Sequence, residues 1–288
     1  MRIAILGQRG GWHVAALQKE LAARGITAPS FSITRLTARL SARPWLTASD
    51  EALDSYDVLF VRAIPGGSLE QVIYRVDALH RLENAGVRIV NSPTVIERTV
   101  DKYYTSSLLE DAGIPTPRTV VTERFEEAMA AFDELGGDVV VKPIFGSEGR
   151  GIVRVSDADT AYRVFRALEL GRYVYYLQEF VPHACEDIRV FVVGEQVVAA
   201  MVRRGETWKT NVAQGALGAP LTPDDELREM SLFLFGLILG LLPGRSWRCA
   251  RSAIHFRAAR DQYRTDHARD QAAVNTVPHH HLRLSLQN

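Results

Sequence analysis

Short apolar runs and helical spacings alternate over the first ninety residues. Arg2–Leu6 (RIAIL) is an apolar run stopped at Gly7, which predicts a buried strand. His13–Arg24 repeats its apolar residues at helical intervals, and Gly25 is a natural stop. Asp57–Ala63 (DVLFVRA) and Val87–Ser92 (VRIVNS) predict two more strands, with helical spacing over Ser68–Ala85 between them. Strand, helix and strand in alternation predict a parallel-sheet α/β lobe over residues 1–91.

The pattern then changes. A helix is predicted from Pro93 to Ala112, with room for a break, and Gly113–Pro117 (GIPTP) ends it because proline cannot continue a helix. Arg118–Thr122 reads as a strand, Phe125–Leu135 as a helix, and Val139–Val155 as a hairpin whose connection is rich in glycine. A helix over Ala158–Leu168 and a strand over Tyr173–Val181 follow. Asp187–Arg204 is a hairpin turning at Gly194-Glu195. This part mixes antiparallel hairpins with helices, so the chain divides into lobes at 1–91, 92–182 and 183–288. The apolar run Leu232–Leu242 is too short to span a bilayer and reads as a buried helix.

Composition adds little until its distribution is considered. The 288 residues carry 34 basic and 34 acidic side chains, so no global field advertises nucleic acid or an anionic membrane. Cys185 and Cys249 make neither a disulfide framework nor a metal cluster. The opening residues lack the long apolar stretch of a signal peptide, so a cytoplasmic protein is expected. From Ser231 onward, however, there are eight Arg, no Lys and five of the eight His.

Two stretches suggest ligand chemistry. The loop Gly7–His13 (GQRGGWH) follows the first strand, at the sheet edge where α/β folds bind ligands, and is equally a plain tight turn. In Val139–Val155 (VVVKPIFGSEGRGIVRV), Lys142 precedes a loop containing Gly146, Ser147, Gly149 and Gly151. Such a loop can close over a triphosphate and offer it backbone N–H groups, with the lysine adding charge from a strand. A flexible hairpin with a surface lysine has the same pattern.

Five stretches in order decide between them: NSPTVIERTVDKYYTSSLLEDAGIPTP, VVVKPIFGSEGRGI, LQEFVP, DIRVFVVG and RRGETWKTN. Together they resemble the ATP-grasp superfamily, most closely its RimK-like branch of carboxylate–amine ligases. The resemblance implies an α/β (α+β ATP-grasp) fold: a parallel N-terminal lobe followed by two ATP-grasp lobes. It implies ATP as substrate, with Mg²⁺, and transfer of glutamate through an acylphosphate to a carboxylate on a protein tail or a pterin-type cofactor. A homo-oligomer is compatible with it; membrane and nucleic-acid partners are not expected.

By the same resemblance, Lys102 and Lys142 grip phosphates together with Gly146, Ser147, Gly149 and Gly151. Gln178, Glu179, Phe180 and Val181 form the stretch that pairs with adenine, and Asp187 meets the ribose. Lys209, Thr210 and Asn211 lie near the phosphates. Arg189, Arg203 and Asn211 are the candidates for stabilising the reacting groups. The bland alternative makes Glu179 and Asp187 solvated acids, Arg203 and Arg204 a surface pair, and Phe180 core.

The pattern departs from the family after Leu232. Hard cations such as Mg²⁺ require oxygen ligands. The family's E-x-N is not found there; AVNTVP places Ala273 at the acid position. Asp261, Asp266, Asp270 and Asn275 are the remaining oxygen donors, and His279–His281 reads as a solvated tail. The tail is a degenerate subdomain, a repurposed basic segment, or text from another reading frame, which the abrupt loss of lysine favours. The alternative function is therefore a nucleotide-binding protein without ligase activity, with poor turnover expected of the chain as given. A ligase of the glutathione synthetase kind is a more distant alternative.

Overall fold

The computed structural model describes residues 1–146 and 149–241. Its contacts divide the chain into two units, Met1–Arg98 and Thr99 onward.

The first unit is built on a four-stranded parallel sheet. Its elements are β1 (Ile3–Leu6), α1 (Trp12–Ala22), β2 (Ser30–Phe31), β3 (Leu36–Ala38), β4 (Leu46–Ala48), β5 (Glu51–Ala52), β6 (Val58–Val61), α2 (Leu69–Asn84) and β7 (Arg88–Val90). The sheet order is β2-β1-β6-β7, with Ile3 opposite Val58 and Val58 opposite Arg88. All four β1 side chains are buried, as a strand in a covered parallel sheet requires. Ile3, Ile5, Val14 and Ala28 pack together beneath α1. Ser68 opens α2 with a reciprocal cap: its hydroxyl accepts from the Gln71 N–H, and the Gln71 side chain accepts from the Ser68 N–H.

Gly7 is explained by packing. A Cβ there would stand 2.8 Å from Val14 Cγ2, so the turn after β1 needs glycine to let the helix approach. The sequence pattern did not predict the small antiparallel sheet β3-β4-β5. Strands of two or three residues are too short to show a period.

Helix α3 (Pro93–Val100) ends before Asp101, whose carboxylate accepts from the Tyr104 N–H 2.9 Å away and starts α4 (Lys102–Asp111). The expected break thus has a cause: a cap residue restarts the helix and puts Lys102 at its first position.

The second unit continues with β8 (Thr119–Thr122), α5 (Phe125–Glu134), β9 (Val139–Lys142), β10 (Val153–Val155), α6 (Ala158–Leu170), β11 (Tyr175–Glu179), β12 (Glu186–Val193), β13 (Gln196–Arg204), β14 (Leu217–Pro220) and α7 (Asp225–Ile238). One antiparallel sheet runs β10-β9-β11-β8, the other β12-β13-β14. The first has two unlike faces. Val139, Val141, Val155, Tyr175 and Leu177 pack under α5 and α6 with Phe132 and Phe165. Register places Val140, Lys142, Arg154, Tyr176 and Gln178 on the opposite face. Helix α7 packs on β12 and β13 and joins α4 through Phe233, Leu234, Ala112 and Ile114. It contains the first part of the apolar run expected to be a buried helix.

Candidate active site

Three segments meet on the polar face of the β10-β9-β11-β8 sheet. Lys142, at the end of β9, lies opposite Tyr176 on β11. Its ammonium donates to Gln178 Oε1 at 2.5 Å, and the Gln178 amide donates to the Thr119 hydroxyl at 2.9 Å. Helix α4 brings two more contacts: the Ser106 hydroxyl lies 2.8 Å from the Tyr176 hydroxyl, and the Lys102 ammonium donates to the loop carbonyls of Gly146 (2.7 Å) and Ile144 (3.3 Å). Lys102 therefore reaches the glycine loop, while Lys142, at the end of the strand that leads into that loop, is held by Gln178. Burial pushes the Lys102 pKa below the usual lysine value, partly offset by Asp101. Burial also pushes the Tyr176 hydroxyl up.

Within that loop Gly146, Gly149 and Gly151 all have positive φ, at 142°, 73° and 71°. Gly149 carries a further constraint, since a Cβ there would lie 2.5 Å from Asn211 Oδ1. The glycine loop therefore touches the Lys209–Asn211 stretch. Ser147 lies outside the described residues.

One ion pair of the site is buried. Strand pairing sets Asp187 opposite Arg203. The guanidinium donates to both carboxylate oxygens, Nε to Oδ1 at 2.7 Å and Nη2 to Oδ2 at 2.5 Å. Both side chains are under a tenth exposed, and the Thr210 hydroxyl donates to the same carboxylate. Arg189 is two residues from Asp187 on β12. Its pKa is lowered, first by burial and then by the Arg203 charge, while Asp187 raises it. Arg204, the next residue after Arg203, points the other way and pairs on the surface with Glu186. Arg203 and Arg204 are not a surface pair; alternation along β13 buries the first and exposes the second.

The Glu179–Val181 stretch is fixed from both sides. The Glu179 carboxylate accepts from the Arg118 backbone N–H (2.9 Å) and side-chain Nε (2.7 Å). The Glu179 N–H donates to Arg118 O, and the Phe180 N–H to Asp138 O, both at 2.9 Å. Phe180 is half-buried, not core. The Arg154 guanidinium lies 3.4 Å from its ring centre, and the Trp208 ring meets it edge-on at 6.2 Å. Lys209 reaches over Trp208 at 5.4 Å.

Arg154, Trp208, Asp138 and Arg118 were not singled out from the sequence. Only the alternation of Arg154 between Val153 and Val155 hinted at its face, and register was needed to place it beside Phe180. Among the described residues, no group of three or more His, Cys, Asp or Glu side chains comes together to hold a metal. Asp261, Asp266, Asp270, Asn275 and His279–His281 lie outside the described residues. The Gly7–His13 loop belongs to the first unit, where burial and the Arg62 charge lower the His13 pKa.

A parallel α/β unit, then two antiparallel sheets with a lysine held against a glycine loop, define an ATP-grasp fold. The chain belongs to the RimK-like ATP-grasp family, whose domain model matches residues 99–238. It is 31% identical over 237 residues to a tetrahydromethanopterin:alpha-L-glutamate ligase of Methanococcus maripaludis, covering 81% of this chain and 80% of that one. The ligase of the same name from Methanosarcina acetivorans is 34% identical over 197 residues, 64% of this chain and 60% of that one. An alpha-aminoadipate–LysW ligase of Sulfurisphaera tokodaii is 35% identical over 191 residues, 62% of this chain and 67% of that one. A solved RimK domain protein ATP-grasp from Sphaerobacter thermophilus shares the fold, with a TM-score of 0.62 at 22% identity over 83% of this chain and 82% of that one. No helix among the described residues is long and apolar enough to cross a membrane.

Proposed function

We propose that this chain is an ATP-dependent carboxylate–amine ligase that joins the α-amino group of glutamate to an acceptor carboxylate. The observation that carries this reading is the contact of the Lys102 ammonium with the Gly146 carbonyl of the glycine loop, with Lys142 at the end of the strand that leads into that loop. Those ammonium groups would hold the phosphates, Glu179–Val181 would receive adenine, and the Asp187–Thr210 corner would face the ribose. Arg189, Arg203 and Lys209 would neutralise charge on the transferring phosphoryl group, and the Asn211 amide would donate a hydrogen bond to it. The carboxylate oxygen takes that group and ADP leaves. The amine then displaces phosphate to form the amide, so no covalent nucleophile on the protein is required.

Among the described residues, no three His, Cys, Asp or Glu side chains come together to hold Mg²⁺. When bound, Mg²⁺ would shield the charges of the ATP phosphates. The relatives named as glutamate and LysW ligases support ligation over nucleotide binding alone. Their acceptors, a pterin cofactor in one name and a protein in the other, make these the two classes to assay.

The test is ADP release by the full chain with Mg²⁺, glutamate and either a pterin-type carboxylate or a peptide tail. Amide formation dependent on both glutamate and acceptor is expected. Tight ATP binding with no turnover on any acceptor would refute ligation, and preference for glycine over glutamate would favour the glutathione synthetase kind.

A further inference from the structure

Asp138 holds the Glu179–Val181 stretch in two ways at once. Its carbonyl accepts the Phe180 N–H at 2.9 Å. Its carboxylate grips Arg154 at two points, Nε to Oδ1 at 2.8 Å and Nη2 to Oδ2 at 2.6 Å. The guanidinium so fixed covers the Phe180 ring at 3.4 Å. The ring of Trp208, from the loop that leads into Lys209, meets Phe180 at 6.2 Å and nearly perpendicular, at 89°. A planar cation held by a two-point fork cannot swing away from the ring as a lone arginine would. Phe180 is therefore held by Arg154 of β10 and by Trp208 from the loop after β13.

We propose that Arg154 and Trp208 are positioning residues: they clamp Phe180 so that the backbone of the Glu179–Val181 stretch is set in advance for the adenine of ATP. This rests on the assignment of that stretch under the proposed function. Ordering the stretch beforehand spares the nucleotide the entropy of ordering it.

The test uses the full chain and isothermal titration with ATP and with inorganic tripolyphosphate. Arg154→Ala and Trp208→Ala should each weaken ATP binding about threefold to tenfold, the range for losing one cation–π or aromatic contact. Tripolyphosphate, which has no base to place, should bind the variants as it binds the parent. Arg154→Lys keeps the charge but loses the fork and the flat face, and should behave like Arg154→Ala; Trp208→Phe keeps an aromatic edge and should recover most of the affinity. Should either alanine variant fail to fold, the Lys and Phe variants decide alone. Unchanged ATP affinity in the Arg154 variants, or equal losses for ATP and tripolyphosphate, would overturn the inference while leaving the ligase reading intact. A parent chain that binds tripolyphosphate but not ATP would overturn both.

Discussion

The Asp187–Arg203 pair allows a stability prediction with a definite asymmetry. The two side chains are 7% and 6% exposed and share two hydrogen bonds, and the Thr210 hydroxyl supplies a third to the carboxylate. Arg203→Met leaves the carboxylate in a nearly dry site with the hydroxyl but without its cation. Breaking such a pair from one side costs about 3–5 kcal/mol. Asp187→Leu leaves two guanidinium groups, Arg189 and Arg203, whose mutual repulsion is already felt. It should therefore fall at the upper end of that range, whereas Arg203→Met relieves Arg189 and falls at the lower end. Replacing both with apolar residues of similar volume should cost less than either single change, because no buried charge of the pair is stranded.

Urea unfolding followed by circular dichroism gives the four free energies of the cycle. The single variants should also melt roughly 6–20 °C lower, at about 2–4 °C per kcal/mol for a chain of this size. A loss under about 1 kcal/mol for Arg203→Met would refute the buried-pair account. A milder effect of Asp187→Leu than of Arg203→Met would refute the role given to Arg189.

Three further outcomes are expected. Lys142→Ala should weaken ATP binding by about 1.5–3 kcal/mol, the range for a hydrogen bond to a charged group, and Lys142→Arg should not fully restore it; unchanged affinity by calorimetry would remove the lysine from the site. Gly149→Ala should destabilise the chain by about 1–2 kcal/mol, because φ is +73° and the new Cβ would meet Asn211 Oδ1. Adding Asn211→Ala should relieve the clash but not the φ penalty, and full recovery in thermal melts would contradict this. The Lys102 pKa lies below its ordinary value of 10.5, so the unfolded chain binds more protons as pH rises from the folded value towards 10.5. The contribution of Lys102 to stability should therefore increase with pH across that window, and Lys102→Met should flatten the slope. An identical slope in both proteins would show that Lys102 is not desolvated.

Much of this protein is written locally. The apolar run at Ile3–Leu6, the helical spacing over Leu69–Asn84 and the hairpin turn at Gly194 each follow from near neighbours, and the structure contains them within a few residues of expectation. The cap at Ser68 and the restart at Asp101 act over three residues, so a sequence can carry them. Motif order is also a property of sequence, and it was enough to bring out the family resemblance. What tertiary structure decided is which of these residues meet. Lys102 finds the Gly146 carbonyl across 44 residues, Lys142 finds Gln178 across 36, and Arg118 finds Glu179 across 61. Strand register makes those choices, and a shift of one residue would turn every side chain on the strand to the other face. Register is fixed by burial of Val139, Val141, Tyr175 and Leu177 on one face, which leaves Lys142, Arg154, Tyr176 and Gln178 together on the other. The sequence names the residues of the site; packing of the opposite face assembles them.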